Sequence, residues 1–215
     1  MRIMKERRHR VNNEEIGVNA DAATVGELTE EITSTWRVGE HQPKKPVLLF
    51  LSGFQGSGKT TALEILRKET DLIIVSPDEI RQKLFERNWE VSEKFIHTVN
   101  ATKNNLLKRA LLSGSHIAID EFATETRINL ASKIIKEADR KYKTLTVYLD
   151  TPENILEQRV KERKGFVGKY KGTVAELRDS IRKHGHPKFG LFDRVLDSSK
   201  MSAGEIAAEI KRMIG

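Results

Sequence analysis

The sequence predicts an α/β domain built around a mainly parallel sheet of five strands. Short apolar runs, of the length typical of buried strands, alternate along the chain with longer segments of helical periodicity. Strands that alternate with helices form parallel sheets with helices on both faces, and ligands bind beyond the C-terminal ends of the strands. The strand-like runs are residues 46–52, 72–75, 116–120, 145–149 and 194–196.

Helical patterns fill the segments between and after these runs. Two of them begin with a typical start signal, a serine or threonine followed directly by proline, at Ser76-Pro77 and Thr151-Pro152. The predicted helices are residues 59–68, 77–87, 92–112, 127–141, 152–163, 174–184 and 202–213.

The region before the first strand is predicted to be an N-terminal extension, residues 1–45, attached to a main domain, residues 46–215. Residues 1–20 are polar and charged, but residues 21–37 carry apolar side chains at spacings of three and four, which indicates one helix. These side chains are Val25, Leu28, Ile32 and Trp36. The apolar stripe makes residues 21–37 a candidate surface for a protein partner.

Composition excludes several classes of protein. No cysteine is present, which excludes disulfides, thiolate metal sites and a cysteine nucleophile and fits a cytoplasmic protein. The longest apolar run, residues 47–51, is far shorter than the roughly 20 residues that span a bilayer, so no membrane partner is expected. The net charge of +7 favours anionic partners such as nucleotides or nucleic acid; a merely solubilising surface is the alternative.

A phosphate-binding motif follows the first strand. Residues 53–60 read GFQGSGKT, which matches the P-loop pattern G-x-x-x-x-G-K-[ST] between a strand and a helix. Glycines let successive backbone N–H groups face the phosphates, Lys59 reaches the β- and γ-phosphates, and Thr60 places its hydroxyl on Mg²⁺. The motif therefore predicts ATP and Mg²⁺ as cofactors. The expected nucleotide-binding residues are Gly53, Gln55, Gly56, Ser57, Gly58, Lys59, Thr60 and Thr61.

Other P-loop classes leave signals that this sequence lacks. No N-K-x-D stretch of GTPases and no L-S-G-G-Q stretch of transporter ATPases is present, and little chain remains for the modules of helicases or motors. The prediction is therefore a three-layer P-loop NTPase fold of the kinase type.

The helix after the second strand begins with SPDEIR, residues 76–81. Ser76 and Glu79 have the spacing of a capping box, in which Asp78 is simply a first-turn acid favoured by the helix dipole. Asp78 also lies where an acceptor hydroxyl would meet the γ-phosphate, and Arg81 lies on the same helix face. We predict that Asp78 is the general base and that Arg81 binds the acceptor or orients Asp78.

Two further segments carry candidate site residues. The third strand ends in Asp120 and Glu121, placed to hold Mg²⁺ through Asp120 or to grip the acceptor. Later, Arg159 and Arg163 share a helix face and begin a basic, glycine-containing segment, a predicted lid at about residues 159–172. The alternatives are an acidic strand end and a solvated charged helix.

Four stretches, GFQGSGKTT, SPDEIRQKL, IAIDE and LEQRVKERKG, together resemble the P-loop kinases that include polynucleotide 5′-hydroxyl kinases and zeta-type toxins. The resemblance covers residues 46–215. It implies that Asp78 is the general base, that Arg81 contacts the acceptor phosphate, and that Arg159 and Arg163 are lid arginines.

The acceptor is less defined by this resemblance than the reaction. Polynucleotide kinases usually carry D-x-[ST]-N after the third strand, whereas this chain has Asp120-Glu121-Phe122-Ala123. HPKFGLFDRVLD is similar to the tail of zeta toxins, but DEFATET departs from their pattern. We expect ATP-dependent phosphorylation of a nucleic-acid or nucleotide 5′-hydroxyl. A nucleotide sugar or another small metabolite is the alternative acceptor, and a non-enzymatic ATP-binding module that recruits a partner through residues 21–37 is the alternative class.

Overall fold

The protein, seen in a computed structural model, forms the predicted parallel sheet. The structure describes residues 19–37, 43–137, 141–162, 172–185 and 189–215. The strands are β1 (Val47–Ser52), β2 (Leu72–Val75), β3 (His116–Ile119), β4 (Lys143–Asp150) and β5 (Arg194–Asp197). Their order is β2-β3-β1-β4-β5, and each neighbouring pair is parallel. The predicted fold class is confirmed.

Helices cover both faces of the sheet. The side chains of β1 alternate, so that Leu48 and Phe50 enter one apolar cluster and Leu49 and Leu51 enter the other. The helices are α1 (Ala22–Thr33), α2 (Lys59–Glu69), α3 (Pro77–Glu86), α4 (Glu93–Ser113), α5 (Glu125–Glu137), α6 (Glu153–Glu162), α7 (Val174–His184) and α8 (Ala203–Ile214). The first cluster includes residues of α1, α3, α4 and α5, and the second those of α2 and α8, which gives three layers.

The register of the strands brings the candidate residues to one edge. Phe50 of β1 pairs with Ile119 of β3, so the loop after Ser52 and the residue after Ile119 emerge side by side. Asp120 is held there by its backbone N–H, which donates to the Val75 carbonyl of β2 at 3.1 Å. The C-terminal edge of the sheet therefore carries the P-loop, Asp120 and the start of α3 together.

The N-terminal helix α1 belongs to the core of the domain. Leu28 and Ile32 are almost fully buried in the first cluster, and α1 packs mainly on α4. On its rim, Glu31 accepts hydrogen bonds from Lys83 at 2.5 Å and from Arg87 at 2.9 Å. The apolar stripe expected to bind a protein partner through residues 21–37 is thus covered by the chain itself.

The start of α3 differs from the sequence prediction. Ser76 is the N-cap residue, but its side chain makes no capping hydrogen bond, so the predicted capping box does not form. Glu79 is instead half-buried beside Lys83, Arg67 and Glu64, and desolvation raises its pKa. Capping boxes are present at Thr173–Glu176 on α7 and at Ser202–Glu205 on α8. Within the described ranges, no helix combines the length and apolar character needed to cross a bilayer.

Candidate active site

The P-loop, residues 53–60, joins β1 to α2 in a tight turn. Gly53 has φ +151°, and a Cβ there would lie 2.6 Å from the Ser57 hydroxyl oxygen, so only glycine fits. Lys59 donates from Nζ to the Gly53 carbonyl at 2.8 Å and to the Phe54 carbonyl at 3.4 Å. The cation therefore lies inside the turn, where the P-loop motif expects phosphate oxygens.

The other expected nucleotide-binding residues lie around this turn. Gly58 is the N-cap of α2, and Thr61 is exposed in its first turn. The Ser57 hydroxyl is buried and, among the described residues, has no hydrogen-bond partner. The Gln55 side-chain amide lies directly against the α-carbon of Gly172, which precedes α7.

Thr60 and Asp120 meet across the two central strands. The Thr60 hydroxyl donates to Asp120 Oδ2 at 2.9 Å, and Asp120 is only 8% exposed. The hydroxyl comes from the first turn of α2 and the carboxylate from the residue after β3. The parallel register of β1 and β3 therefore brings together two residues that the sequence separates by sixty positions.

This pair has the chemistry of a Mg²⁺ site. Mg²⁺ prefers oxygen ligands and is usually held by one or two carboxylates together with substrate phosphates. A hydroxyl and a carboxylate oxygen in contact at the mouth of a phosphate-binding loop fit that requirement. Across the described ranges, no cluster of three or more His, Cys, Asp or Glu side chains could hold a metal ion, so phosphate oxygens and water would complete the coordination of Mg²⁺ here.

Asp78 and Arg81 form an exposed pair on the first turn of α3. Arg81 donates from Nη1 to Asp78 Oδ1 at 2.5 Å, and the side chains are 29% and 68% exposed, respectively. Asp78 and Arg81 therefore lie on the same face of α3, as predicted. An exposed carboxylate beside a guanidinium can accept a proton while the arginine holds an anionic group.

Glu121, by contrast, is enclosed. Its carboxylate accepts hydrogen bonds from Lys103 Nζ at 3.2 and 3.3 Å, and Arg127 lies 3.8 Å away. Lys103 and Glu121 are 13% and 10% exposed. Together with Asn104 they line a small cavity between α4 and α5 whose remaining wall is largely apolar. Glu121 thus faces a small, partly enclosed cavity, and no sequence spacing could have paired it with Lys103 on α4.

Arg159 lies on α6 and contacts the P-loop from outside. Its guanidinium donates to the Gly56 carbonyl at 3.3 Å and to the Ser198 carbonyl at 2.8 Å. The Ser198 hydroxyl in turn contacts the Thr151 hydroxyl at 2.6 Å. Arg159 therefore joins the P-loop to the turn after β5. Arg163 and most of the predicted lid fall outside the described residues.

Aromatic residues that the sequence did not single out flank the loop. Phe54 of the P-loop and Phe122 after β3 have ring centroids 5.1 Å apart, and the His184 ring lies 4.8 Å from that of Phe122. Burial and the nearby charges of Lys183 and Arg127 lower the pKa of His184. The P-loop motif allows any residue at the position of Phe54, so the motif did not predict these aromatic contacts.

Fold and site together define a P-loop protein of kinase-like architecture. A protein-family model described as an AAA domain (AAA_33) matches residues 48–185, and the chain belongs to this family. That match runs from β1 through α7 and includes every candidate site residue. No curated protein matches the sequence.

Solved structures share the fold at low sequence identity. A putative kinase from Chloroflexus aurantiacus is 17% identical, with a TM-score of 0.59, covering 80% of this chain and 100% of that chain. A chain from the PezAT chromosomal toxin–antitoxin system of Streptococcus pneumoniae is 16% identical, with a TM-score of 0.57, covering 91% and 88%. A tunicamycin resistance protein of Deinococcus radiodurans is 16% identical, with a TM-score of 0.52, covering 80% and 96%. At these identities the likeness concerns the fold.

Proposed function

We propose that this protein is an ATP-dependent phosphotransferase that moves the γ-phosphate of ATP to a hydroxyl group. The observation that carries the proposal is the 2.9 Å contact between Thr60 and Asp120 at the mouth of a complete P-loop. These are the residue types and positions that hold Mg²⁺ on nucleotide phosphates in P-loop enzymes. A chain that merely bound phosphate through the loop would not need this carboxylate.

In this proposal the residues of the chain divide the reaction between them. The backbone of the P-loop and Lys59 bind and neutralise the phosphates, and Thr60 and Asp120 would hold Mg²⁺, which supplies further charge neutralisation. Asp78 takes the proton of the acceptor hydroxyl as its oxygen bonds to the γ-phosphorus and the bond to ADP breaks. Arg159 and Arg163 are proposed to stabilise charge on the transferred phosphoryl group.

For the acceptor, we propose a nucleic-acid or nucleotide 5′-hydroxyl. Support comes from the exposure of Asp78, which leaves room for a large acceptor, and from Arg81 beside it, which suits an acceptor phosphate. The net positive charge of the chain also supports a nucleic-acid acceptor, because polyanions bind to basic surfaces.

The test uses the full chain, γ-labelled ATP and Mg²⁺, with single-stranded oligonucleotides that carry either a 5′-hydroxyl or a 5′-phosphate. We expect label only on the 5′-hydroxyl form, and transfer that weakens steeply as salt is raised, because phosphate contacts release counterions. Transfer to small acceptors alone, with no dependence on salt, contradicts the polynucleotide proposal but leaves the phosphotransferase proposal standing.

A small-metabolite acceptor, such as a nucleotide sugar, is the second candidate. It is favoured by two sequence features: HPKFGLFDRVLD is similar to the tail of zeta toxins, and Asp120-Glu121-Phe122-Ala123 departs from the polynucleotide kinase pattern. The cavity beside Glu121 has a volume of only about 10 Å³, which is too small for such an acceptor. A panel of nucleotide sugars and phosphorylated sugars in the same assay separates the two. This candidate is supported if a member of the panel acquires label and the oligonucleotides do not.

A non-catalytic ATP-binding module is the third candidate. The burial of Leu28 and Ile32 removes the apolar surface through which residues 21–37 would recruit a partner, so support for this class is weaker. ATP binding with no label on any acceptor of a broad panel would favour it.

A further inference from the structure

Three consecutive P-loop residues contact the helical hairpin made by α6 and α7. Phe54 is 7% exposed and shares an apolar cluster with Leu156 and Val160 of α6 and Leu177 of α7. The Gln55 side-chain amide lies against Gly172, at the start of the second arm of the hairpin. This part of the loop is thus turned toward the hairpin.

Gly56, the third residue, lies against the backbone of α6. It has φ +91°, and a Cβ there would lie 3.0 Å from the Leu156 carbonyl oxygen and 3.4 Å from a Val160 methyl group. Its own carbonyl accepts a hydrogen bond from Arg159 at 3.3 Å. Loop and helix therefore meet at backbone distance, with no room for a side chain between them.

The hairpin packs as a unit of its own. The clusters on the two faces of the sheet contain no residue of α6 or α7 among those described. Its two helices are joined by Leu156 and Leu177 and by Arg178, which donates to both oxygens of Glu157 at 2.5 and 2.9 Å. The described hairpin contacts the P-loop, the turn after β5 through Arg159 and Ser198, and Phe122 through His184, rather than either face of the sheet.

Phe54 also reaches the opposite side of the site. Its ring packs on Phe122, in the connection between β3 and α5. That connection is fixed to β1, because the Ala123 N–H donates to the Ser52 hydroxyl at 2.9 Å, and Arg127 donates to the Phe122 carbonyl at 2.7 Å. One loop side chain therefore touches both the hairpin and the connection that follows Asp120 and Glu121.

We propose that Phe54 is a positioning residue that couples the phosphate-binding loop to the α6–α7 hairpin and, through Phe122, to the β3–α5 connection. A change in the loop on nucleotide binding is transmitted to the hairpin because close-packed groups move together rather than compress. The coupling rests on the proposed function only in requiring that the loop bind ATP, and it does not depend on the acceptor.

Hydrogen–deuterium exchange of the full chain tests this coupling, with and without a non-hydrolysable ATP analogue and Mg²⁺. The variants are Phe54→Leu and Phe122→Leu, which keep apolar volume but remove the ring pair. The matched control is Phe95→Leu, since Phe95 is buried in the first cluster and packs on Phe85 at the same 5.1 Å centroid distance.

Without nucleotide, we expect Phe54→Leu to raise exchange of residues 153–162 and 174–184 by about tenfold. Exchange of α8 stays unchanged, and Phe95→Leu leaves the hairpin as in the wild type. Equal exchange of the hairpin in the wild type and Phe54→Leu overturns the proposal, as does a rise that is equally large in α8.

With nucleotide, we expect the wild-type hairpin to become more protected from exchange. In Phe54→Leu, most of this added protection of the hairpin is lost, whereas α2 is still protected by nucleotide. If nucleotide slows exchange of α2 in the wild type but leaves exchange of the hairpin unchanged, the proposed coupling is wrong. Calorimetry on the wild type reports nucleotide binding independently, and the label-transfer assay reports catalysis. Bound ATP with a responsive hairpin but no transferred label therefore contradicts the proposed function and leaves the coupling intact.

Discussion

Two acid–base pairs stand at the ends of neighbouring strands, one open and one closed. After β2, Asp78 and Arg81 form a pair in which the carboxylate is 68% exposed. After β3, Glu121 and Lys103 form a pair in which both side chains are at most 13% exposed. The sequence singles out Asp78, Arg81 and Glu121 as candidate site residues but gives no signal for Lys103, and the two pairs differ chiefly in burial.

The difference in exposure suits the two pairs to different roles at the same edge of the sheet. An exposed pair adds little stability, because water competes for both charges, so its carboxylate is free to take part in chemistry. A buried pair is costly to break, because the charge that remains has no partner and little water. The open pair therefore suits catalysis, and the closed pair suits the architecture of the cavity beside it.

The largest effect is expected where the open carboxylate is neutralised. Asp78→Asn should lower kcat by about a thousandfold, because the acceptor proton loses its base. ATP affinity should stay near the wild-type value. Steady-state transfer assays and calorimetry measure the two, with Glu86→Gln, at the other end of α3, as the control. Wild-type transfer by Asp78→Asn would show that another group is the base.

Removing one member of the closed pair, Lys103 and Glu121, should instead lower the stability of the protein. Lys103→Met should lower the free energy of unfolding by about 3 kcal/mol, because Glu121 is left as a buried charge without its close partner. The double variant Lys103→Met/Glu121→Leu should recover most of that loss. Urea denaturation measures all three proteins. A single variant as stable as the wild type would show that Arg127, 3.8 Å from Glu121, or water replaces Lys103 as its partner.

Burial also governs a histidine at the opposite edge of the sheet. The Val47 N–H donates to His116 Nδ1 at 3.2 Å, and burial lowers the pKa of His116 below its usual 6.5. The folded state therefore holds His116 neutral, while the unfolded state takes up a proton first as pH falls. The stability from this neutral state is complete above about pH 6.5 and is lost as pH falls toward the lower folded pKa.

We expect a loss of about 1 kcal/mol between about pH 7 and about pH 5 that His116→Gln no longer shows, since glutamine does not titrate. Urea denaturation at both pH values measures the difference between the two proteins. Parallel pH profiles for the wild type and the variant would assign the titration to another group.

The smallest effect on stability belongs to the open pair. Arg81→Gln should change the free energy of unfolding by less than about 0.5 kcal/mol, since the partner carboxylate is solvated. The same variant should raise KM for a phosphate-bearing acceptor more than it lowers kcat. A stability loss as large as that of Lys103→Met would erase the contrast between the two pairs.

The fold was predictable because its signals are local. Apolar runs and helical spacing located all five strands, and the P-loop motif located the turn between β1 and α2. Only the bounds changed: β4 begins at Lys143 rather than 145, and α5 begins at Glu125 rather than 127. The fate of α1 was not predictable, because an apolar stripe says that a helix is covered but not by which surface.

The site was predictable only where residues act through neighbours in sequence or adjacent strand ends. Asp78 with Arg81, and Thr60 with Asp120, follow from helix spacing and from strand order. The contacts of Lys103 with Glu121 and of Arg159 with Ser198 link distant segments, and periodicity carries no information about them. The predicted Ser76 capping box is absent, and Glu79 is half-buried, an outcome of packing that the spacing of serine and glutamate does not report.

The burial of α1 under α4 has a consequence for synthesis on the ribosome. Leu28 and Ile32 leave the exit tunnel well before the residues of α4 that cover them, and domains fold only once their partner segments have emerged. During that interval the amphipathic segment is an exposed ligand for chaperones. The segment matched by the family model begins at residue 48, so a chain cut there would present the bare face of α4 to solvent and should aggregate.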